Sequence, residues 1–318
     1  MFLTTQTKQV LVTGGSGFIG SAFIRRCAGK YKMRYTYFRH PIRHPKAWGN
    51  RLNLESEARM CELFSELRPN VIIHAAAMTN LAECEKDWQR TYDINVRATH
   101  QLLQLCNDFN TRMIYISTDF VFDGERGNYE ETDDTFPITR YGKSKSMAEE
   151  IVYSGPGSAN TVLRLSLVYG FGTEPARGFI GWLQDALVGN RPVTLFTDEF
   201  RTPVYVEDAI DVLNEVVDNQ VPGIFHVGGR EKISRYDFGM RFAKTLGYNP
   251  SCILPASIKD FQGRPPRPNN LSLNIARAQK RFKTILGGVD DGLRRMREIQ
   301  TENDPIVLQT DDEEPGDF

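Results

Sequence analysis

Two side chains able to manage one proton stand four residues apart in the segment RYGKSKSMAEE, namely Tyr141 and Lys145. In a helix that spacing puts both on one face. Hydride transfer to a ketone needs a proton donor at the developing alkoxide, and a phenol with an unperturbed pKa of about 10 is a poor source at neutral pH. A neighbouring ammonium favours the phenolate and lowers that value, so Tyr141 reads as the acid and Lys145 as its tuner. Taken alone, the pair equally suits a solvated surface. The upstream segment MIYISTDFVFDG selects the catalytic reading, because a strand ending at Ser117-Thr118 brings a hydroxyl to hold the substrate oxygen beside the phenol.

A second constellation lies near the N-terminus. VLVTGGSGFIGSAFIRR places Gly14, Gly17 and Gly20 between an apolar strand and an apolar helix. The first glycine permits a tight turn, the second lets the backbone approach a pyrophosphate, and the third allows helix to pack closely on strand. N–H groups at the helix start then form an anion site. Roughly twenty residues further on, an NAD-preferring site would hold an acid for the ribose. Here the chain reads YFRHPIRHP, and Arg39, with His40 and Arg43 nearby, offers a guanidinium suited to a 2′-phosphate. NADP(H) is the expected cofactor, with NAD(H) the second choice.

The elements that must position these groups alternate. Candidate strands at Gln9–Thr13, Arg34–Phe38, Val71–His74, Arg112–Ser117 and Thr161–Leu167 are separated by apolar residues at helical spacing over Phe18–Ala28, Glu57–Leu67, Asp87–Phe109 and Tyr141–Val152. That order predicts an α/β fold with a Rossmann-type, doubly wound parallel sheet. Beyond Tyr169, glycine and proline punctuate a less regular pattern, with returns to the sheet expected at Thr202–Val206 and Gly223–Val227. The reading is a nucleotide-binding domain over 1–170, a smaller discontinuous substrate lobe over 171–201 and 228–300, and an acidic, disordered tail over 301–318.

Composition narrows the partners. Thirty-nine basic residues nearly cancel forty acidic ones in the 318-residue chain, so no global field favours nucleic acid or an anionic membrane. The five cysteines are scattered without metal-ligand spacing and read as thiols of a reducing compartment. No apolar run reaches the length of a membrane span, and a cytoplasmic location is expected.

Across most of its length the chain resembles the extended short-chain dehydrogenase/reductases, and among them the dTDP-4-dehydrorhamnose reductase branch. The likeness rests on VLVTGGSGFIGS, IIHAAAMTNLAECEKD with DINVRAT, YISTDFVFDG, YGKSKSMAE, LRLSLVYG, TPVYVEDAIDVL and RPPRPNNLSLN. It implies hydride transfer from NADPH to C4 of a nucleotide-linked 4-keto-6-deoxy sugar, with Tyr141 protonating the oxygen. Thr118 matches the catalytic hydroxyl, Lys145 the residue that also binds the nicotinamide ribose, and Asn95 an asparagine supporting the site. The expected cofactor contacts are Gly14, Ser16, Gly17, Phe18, Ile19, Gly20, Arg39, Asn53, Leu54, Ala75, Ala76, Ala77, Asn95, Ser117, Tyr141 and Lys145. Met78, Thr118, Asp119 and Phe120 are expected against the substrate. Arg177, Arg201, Arg264 and Arg267 are candidates for its diphosphate, each equally suited to a surface salt bridge.

Similar dehydratases carry an Asp-Glu pair where this chain has Asp119-Phe120, which disfavours dehydration. Two other readings stand beside the reductase. One is a sugar-nucleotide epimerase, and the other a non-catalytic regulatory subunit similar to the beta subunit of methionine adenosyltransferase. The helix over 88–109 serves either the sheet or, as in similar proteins, a homodimer. The chemistry requires no metal, because nicotinamide carries the hydride and a phenol the proton.

Overall fold

The computed structural model describes residues 7–155, 159–172, 178–261 and 266–303. Seven parallel strands form its main sheet: β1 (Gln9–Thr13), β2 (Lys32–Tyr37), β3 (Ala47–Arg51), β4 (Val71–His74), β5 (Arg112–Thr118), β6 (Thr161–Leu165) and β11 (Gly223–Val227). Their spatial order is β3-β2-β1-β4-β5-β6-β11. The order reverses at β1 and β4, which opens a crevice at the carboxyl ends of the strands.

Every residue of β4, β5 and β6 is buried, as expected of parallel strands covered on both faces. Side chains alternate between two cores. Val10 and Val12 join the layer of α1 (Phe18–Cys27) and α8 (Val206–Asp218), whereas Leu11 joins that of α2 (Glu57–Leu67), α5 (Ala98–Asp108) and α6 (Arg140–Ser154). The doubly wound sheet is thus the one expected.

Two local expectations are corrected, and one strand is added. Edge strand β3, AWGNR, escapes detection because it has no apolar alternation and Trp48 is 58% exposed. Its Gly49 lies under the ring of Tyr35, where a Cβ would come within 2.4 Å of Cζ. The segment expected to return to the sheet at Thr202–Val206 instead pairs Val204–Tyr205 (β10) with Val168–Tyr169 (β7) in a separate ribbon, and Val206 opens α8. Helical spacing of Val206, Ala209, Ile210, Leu213 and Val217, with Glu207 and Asp208 in the first turn, explains that outcome. The helix expected over 87–109 is interrupted: beyond α3 (Leu81–Lys86), α4 (Trp88–Tyr92) passes into a π-helical turn at Asp93–Arg97 before α5.

The carboxyl end of α8 is closed by two cations, Arg112 at the start of β5 and Lys8 just before β1. Arg112 donates to the carbonyls of Val216, Val217 and Asn219 at 2.7–2.9 Å, and Lys8 donates to those of Val217 and Asp218. These bonds occupy carbonyls that have no intrahelical partner.

The remaining strands form small sheets. Val193–Phe196 (β8) pairs parallel with Ile253–Ala256 (β13), and Phe200–Arg201 (β9) antiparallel with Ile233–Ser234 (β12). α7 (Gly178–Val188), α9 (Arg235–Leu246), α10 (Ala276–Arg281) and α11 (Val289–Asn303) accompany them. Positions 301–303, read from the sequence as tail, close α11, and the acidic stretch beyond them lies outside the described residues.

Candidate active site

A cleft of about 660 Å³ opens at the sheet's crevice and collects most of the residues singled out in the sequence. At its floor, Gly14 turns with φ of +67°, and an added Cβ would meet Ala76 Cα at 2.7 Å. Gly20 packs directly beneath, since its Cβ would lie 2.3 Å from the Gly14 carbonyl oxygen. The ten-residue helix α1 begins at Phe18 after Gly17, which offers no side-chain cap, so its first N–H groups can face a ligand in the cleft. Ser16, Phe18 and Ile19 line the same floor.

One end of the cleft is formed by Phe38, Arg39 and His40 beyond β2, together with Asn53 and Leu54. Arg39 is exposed, its guanidinium carbon 5.7 Å from the Phe38 ring centroid. Ala75, Ala76, Ala77 and Met78, following β4, line the middle. At the other end stand Ser117, Thr118, Tyr141 and Lys145. Thr139 caps α6 by accepting from the Gly142 amide at 3.0 Å, which aims the first turn at β5. Gly142 is required there, because a Cβ would come within 2.1 Å of the Phe120 carbonyl oxygen.

Burial raises the Tyr141 phenol above its ordinary pKa, a hydrogen bond with Thr118 opposes the rise, and Asp119 adds to it. Burial likewise lowers Lys145 to about 7, against the opposing pull of Glu149. Lys145 Nζ donates to the Ile116 carbonyl at 2.7 Å and lies 4.0 Å from the Tyr115 ring centroid. Burial dominates at Tyr141, and Lys145 faces the strand.

Asp119 and Arg201, expected at the substrate, lie behind the cleft wall. Asp119 accepts from Ser166 Oγ at 3.2 Å, and Arg201 Nε stands 3.4 Å from its Oδ2. Burial raises the Asp119 carboxyl while Arg201 opposes the rise. Arg201 is 2% exposed and also pairs with Glu199 at 3.2 Å, so its charge meets two carboxylates rather than the open cleft. Burial raises Glu199, but Arg235, Arg201 and Arg267 together bring it below the usual carboxylate range. Phe120 lies between the two groups, its ring 5.0 Å from the Arg201 guanidinium and edge-on to Tyr141 at 5.8 Å.

Asn95, expected to touch the cofactor, also sits behind the wall at 2% exposure, bonded to both backbone groups of Met78. Arg177 and Arg264 lie outside the described residues. Sequence reasoning missed Arg90 and Ile94, one helical turn apart and both lining the cleft, and Ser166 just beyond the end of β6. The strand-end position of Ser166 was the signal that could have revealed it. Among the described residues no group of three potential metal ligands occurs, and no helix is long and apolar enough to cross a membrane.

The cleft suits a dinucleotide on structural grounds. It combines an uncapped helix start, a turn where only glycine fits, and a buried Ser117 Oγ without a hydrogen-bond partner among the described residues. Gly14, Gly17 and the start of α1 would hold its pyrophosphate.

Comparison with known proteins agrees with this architecture. The probable low-salt glycan biosynthesis reductase Agl14 of Haloferax volcanii is 30% identical over 278 residues, covering 84% of this chain and 90% of its own. Methionine adenosyltransferase 2 subunit beta of Xenopus laevis is 27% identical over 292 residues, covering 87% and 84%. The crystal structure of a hypothetical dTDP-4-dehydrorhamnose reductase from Sulfolobus tokodaii superposes with a TM-score of 0.79 at 28% identity, covering 89% of this chain and 98% of that one. Residues 8–301 match the RmlD substrate binding domain, and the chain belongs to that family of extended short-chain dehydrogenase/reductases.

Proposed function

We propose that the protein is an NADPH-dependent reductase of a nucleotide-linked 4-keto-6-deoxy sugar. The observation that carries this reading is the convergence of Thr118, Tyr141 and Lys145 on the cleft that holds the glycine-rich turn. A bound nicotinamide supplies the hydride to the sugar's C4 carbonyl carbon. Tyr141 gives its phenolic proton to the carbonyl oxygen, and Thr118 donates its one hydroxyl proton to hold that oxygen beside the phenol. Lys145 is buried at the same end, where its ammonium can meet the nicotinamide ribose. At the far end Arg39 would hold the adenosine 2′-phosphate.

The segments 171–201 and 228–300 form the substrate lobe in this reading. Arg177 and Arg264 are the proposed diphosphate partners, while Arg201 fixes Asp119 and Phe120 beneath the sugar. Phe120 in place of a second carboxylate fits reduction without elimination.

The test is consumption of NADPH with a panel of nucleotide-linked 4-keto-6-deoxy sugars. Loss of reduced-cofactor absorbance with equimolar alcohol product supports the reading. The relative named methionine adenosyltransferase 2 subunit beta favours a second one, in which the chain binds nucleotide and acts through a partner. NADPH binding without turnover on any sugar, together with co-purification of a larger catalytic subunit, would establish that alternative.

A further inference from the structure

Behind the cleft, buried polar side chains form a single line. Thr13 and His74 are paired across β1 and β4. Thr13 Oγ1 and His74 Nδ1 are 2.7 Å apart, His74 Nε2 and Thr99 Oγ1 are 3.0 Å apart, and Thr99 donates to the Asn95 carbonyl at 2.7 Å. None of the four residues is more than 2% exposed.

Chemistry fixes the direction of this line. A carbonyl only accepts, so the one hydroxyl proton of Thr99 belongs to Asn95, and its oxygen accepts from His74 Nε2–H. A neutral imidazole protonated at Nε2 presents Nδ1 as an acceptor, which receives the Thr13 hydroxyl. Thr13 Oγ1 in turn accepts the Ala76 amide at 3.4 Å. Burial, and secondarily the charge of Lys145, keep the ring neutral by lowering its pKa to about 3.

Each end of the line reaches the cleft. Thr13 immediately precedes Gly14, and Ala76 lines the cofactor floor. Asn95, within the π-helical turn, clasps Met78 through its N–H at 2.8 Å and its carbonyl at 3.0 Å. It also donates to Ser144 Oγ at 2.9 Å, and Ser144 donates to the Tyr141 carbonyl at 2.7 Å.

We infer that His74 is a positioning residue that couples the two ends of the cleft, Nδ1 setting the cofactor floor through Thr13 and Nε2–H setting Tyr141 and Met78 through Thr99 and Asn95. The inference deepens the reductase reading and rests on it for the roles of the two ends.

The two nitrogens can be removed separately in the full chain. Asparagine reaches the Nδ1 position as an acceptor and lacks the distal donor, whereas glutamine reaches the Nε2 position as a donor and lacks the proximal acceptor. His74→Asn is expected to lower kcat by about 10-fold while the NADPH Kd stays within about twofold. His74→Gln is expected to raise the NADPH Kd by about 10-fold, with kcat at saturating cofactor within about threefold. Melting curves for both variants report the folded fraction. If both lose Kd and kcat in one common ratio, or only in step with that fraction, the histidine merely fills the core and the inference is overturned. Nitrogen NMR of the wild-type imidazole supplies a readout independent of any substrate. The Nε2–H tautomer at neutral pH supports the line, and the Nδ1–H tautomer or an imidazolium overturns it. A wild-type chain that reduces no sugar would sink the reductase reading, while the tautomer and the effect of each variant on NADPH Kd still decide the histidine's coupling.

Discussion

Lys145 donates to the carbonyl of Ile116 at 2.7 Å, one residue before the serine and threonine that end β5. The side chain is 2% exposed and its pKa falls from 10.5 to about 7 through burial. In that window the unfolded chain binds the proton more tightly than the folded one, so stability should rise with pH between about 7 and 10. Below about 7 the full cost of burying the charge is present. Lys145→Met removes this dependence, and the wild type should gain melting temperature relative to the variant on going from about pH 6 to about pH 9. A difference independent of pH would show that the lysine is not buried as a cation.

Arg112 stands at the opposite end of the same strand from Thr118 and closes α8 through three carbonyls. Arg112→Met leaves those carbonyls without their charged donor, at a cost of about 2–4 kcal/mol in denaturant unfolding. Activity per folded molecule should be unchanged, because the site lies across the sheet. Unaltered stability would mean that Lys8 alone suffices.

Gly14 combines φ of +67° with a Cβ position 2.7 Å from Ala76 Cα. Gly14→Ala must shift either the turn or the Ala75–Ala77 segment, and both line the cleft. NADPH affinity measured by fluorescence titration should weaken by about 10-fold or more. Affinity at the wild-type level would place the pyrophosphate elsewhere.

Arg39 is the exposed cation at the proposed 2′-phosphate end. Arg39→Ser should raise the Kd for NADPH by about 10-fold and leave that for NADH within about twofold. Equal losses for both cofactors would point to contact with the adenine ring instead.

The parts of the fold visible in the sequence are those set by burial alone. VIIH, RMIYIST and TVLRL are apolar or β-branched in nearly every position and become fully buried central strands, and the glycines stand where backbone meets backbone. What escaped depends on contacts between distant segments. Gly49 sits in β3 beneath a ring from β2, and the π-helical turn at Asn95 forms where that side chain reaches Met78 and Ser144. Whether Arg201 faces substrate or carboxylate is decided by Asp119, far away in sequence, and by Glu199 beside it. The tuning of Tyr141 by Lys145 was inferred from spacing, which gives a shared helix face and says nothing of the Ile116 carbonyl waiting there.

The central claim is that Tyr141 delivers the proton that accompanies hydride transfer in this cleft. Its most direct measurement follows the absorbance of reduced nicotinamide for the wild type and Tyr141→Phe, each saturated with NADPH and mixed with a nucleotide-linked 4-keto-6-deoxy sugar. The account predicts oxidation by the wild type, a rate lower by about 10²–10⁴-fold in the variant, and NADPH binding nearly equal in the two. Turnover of the variant at the wild-type rate would contradict it.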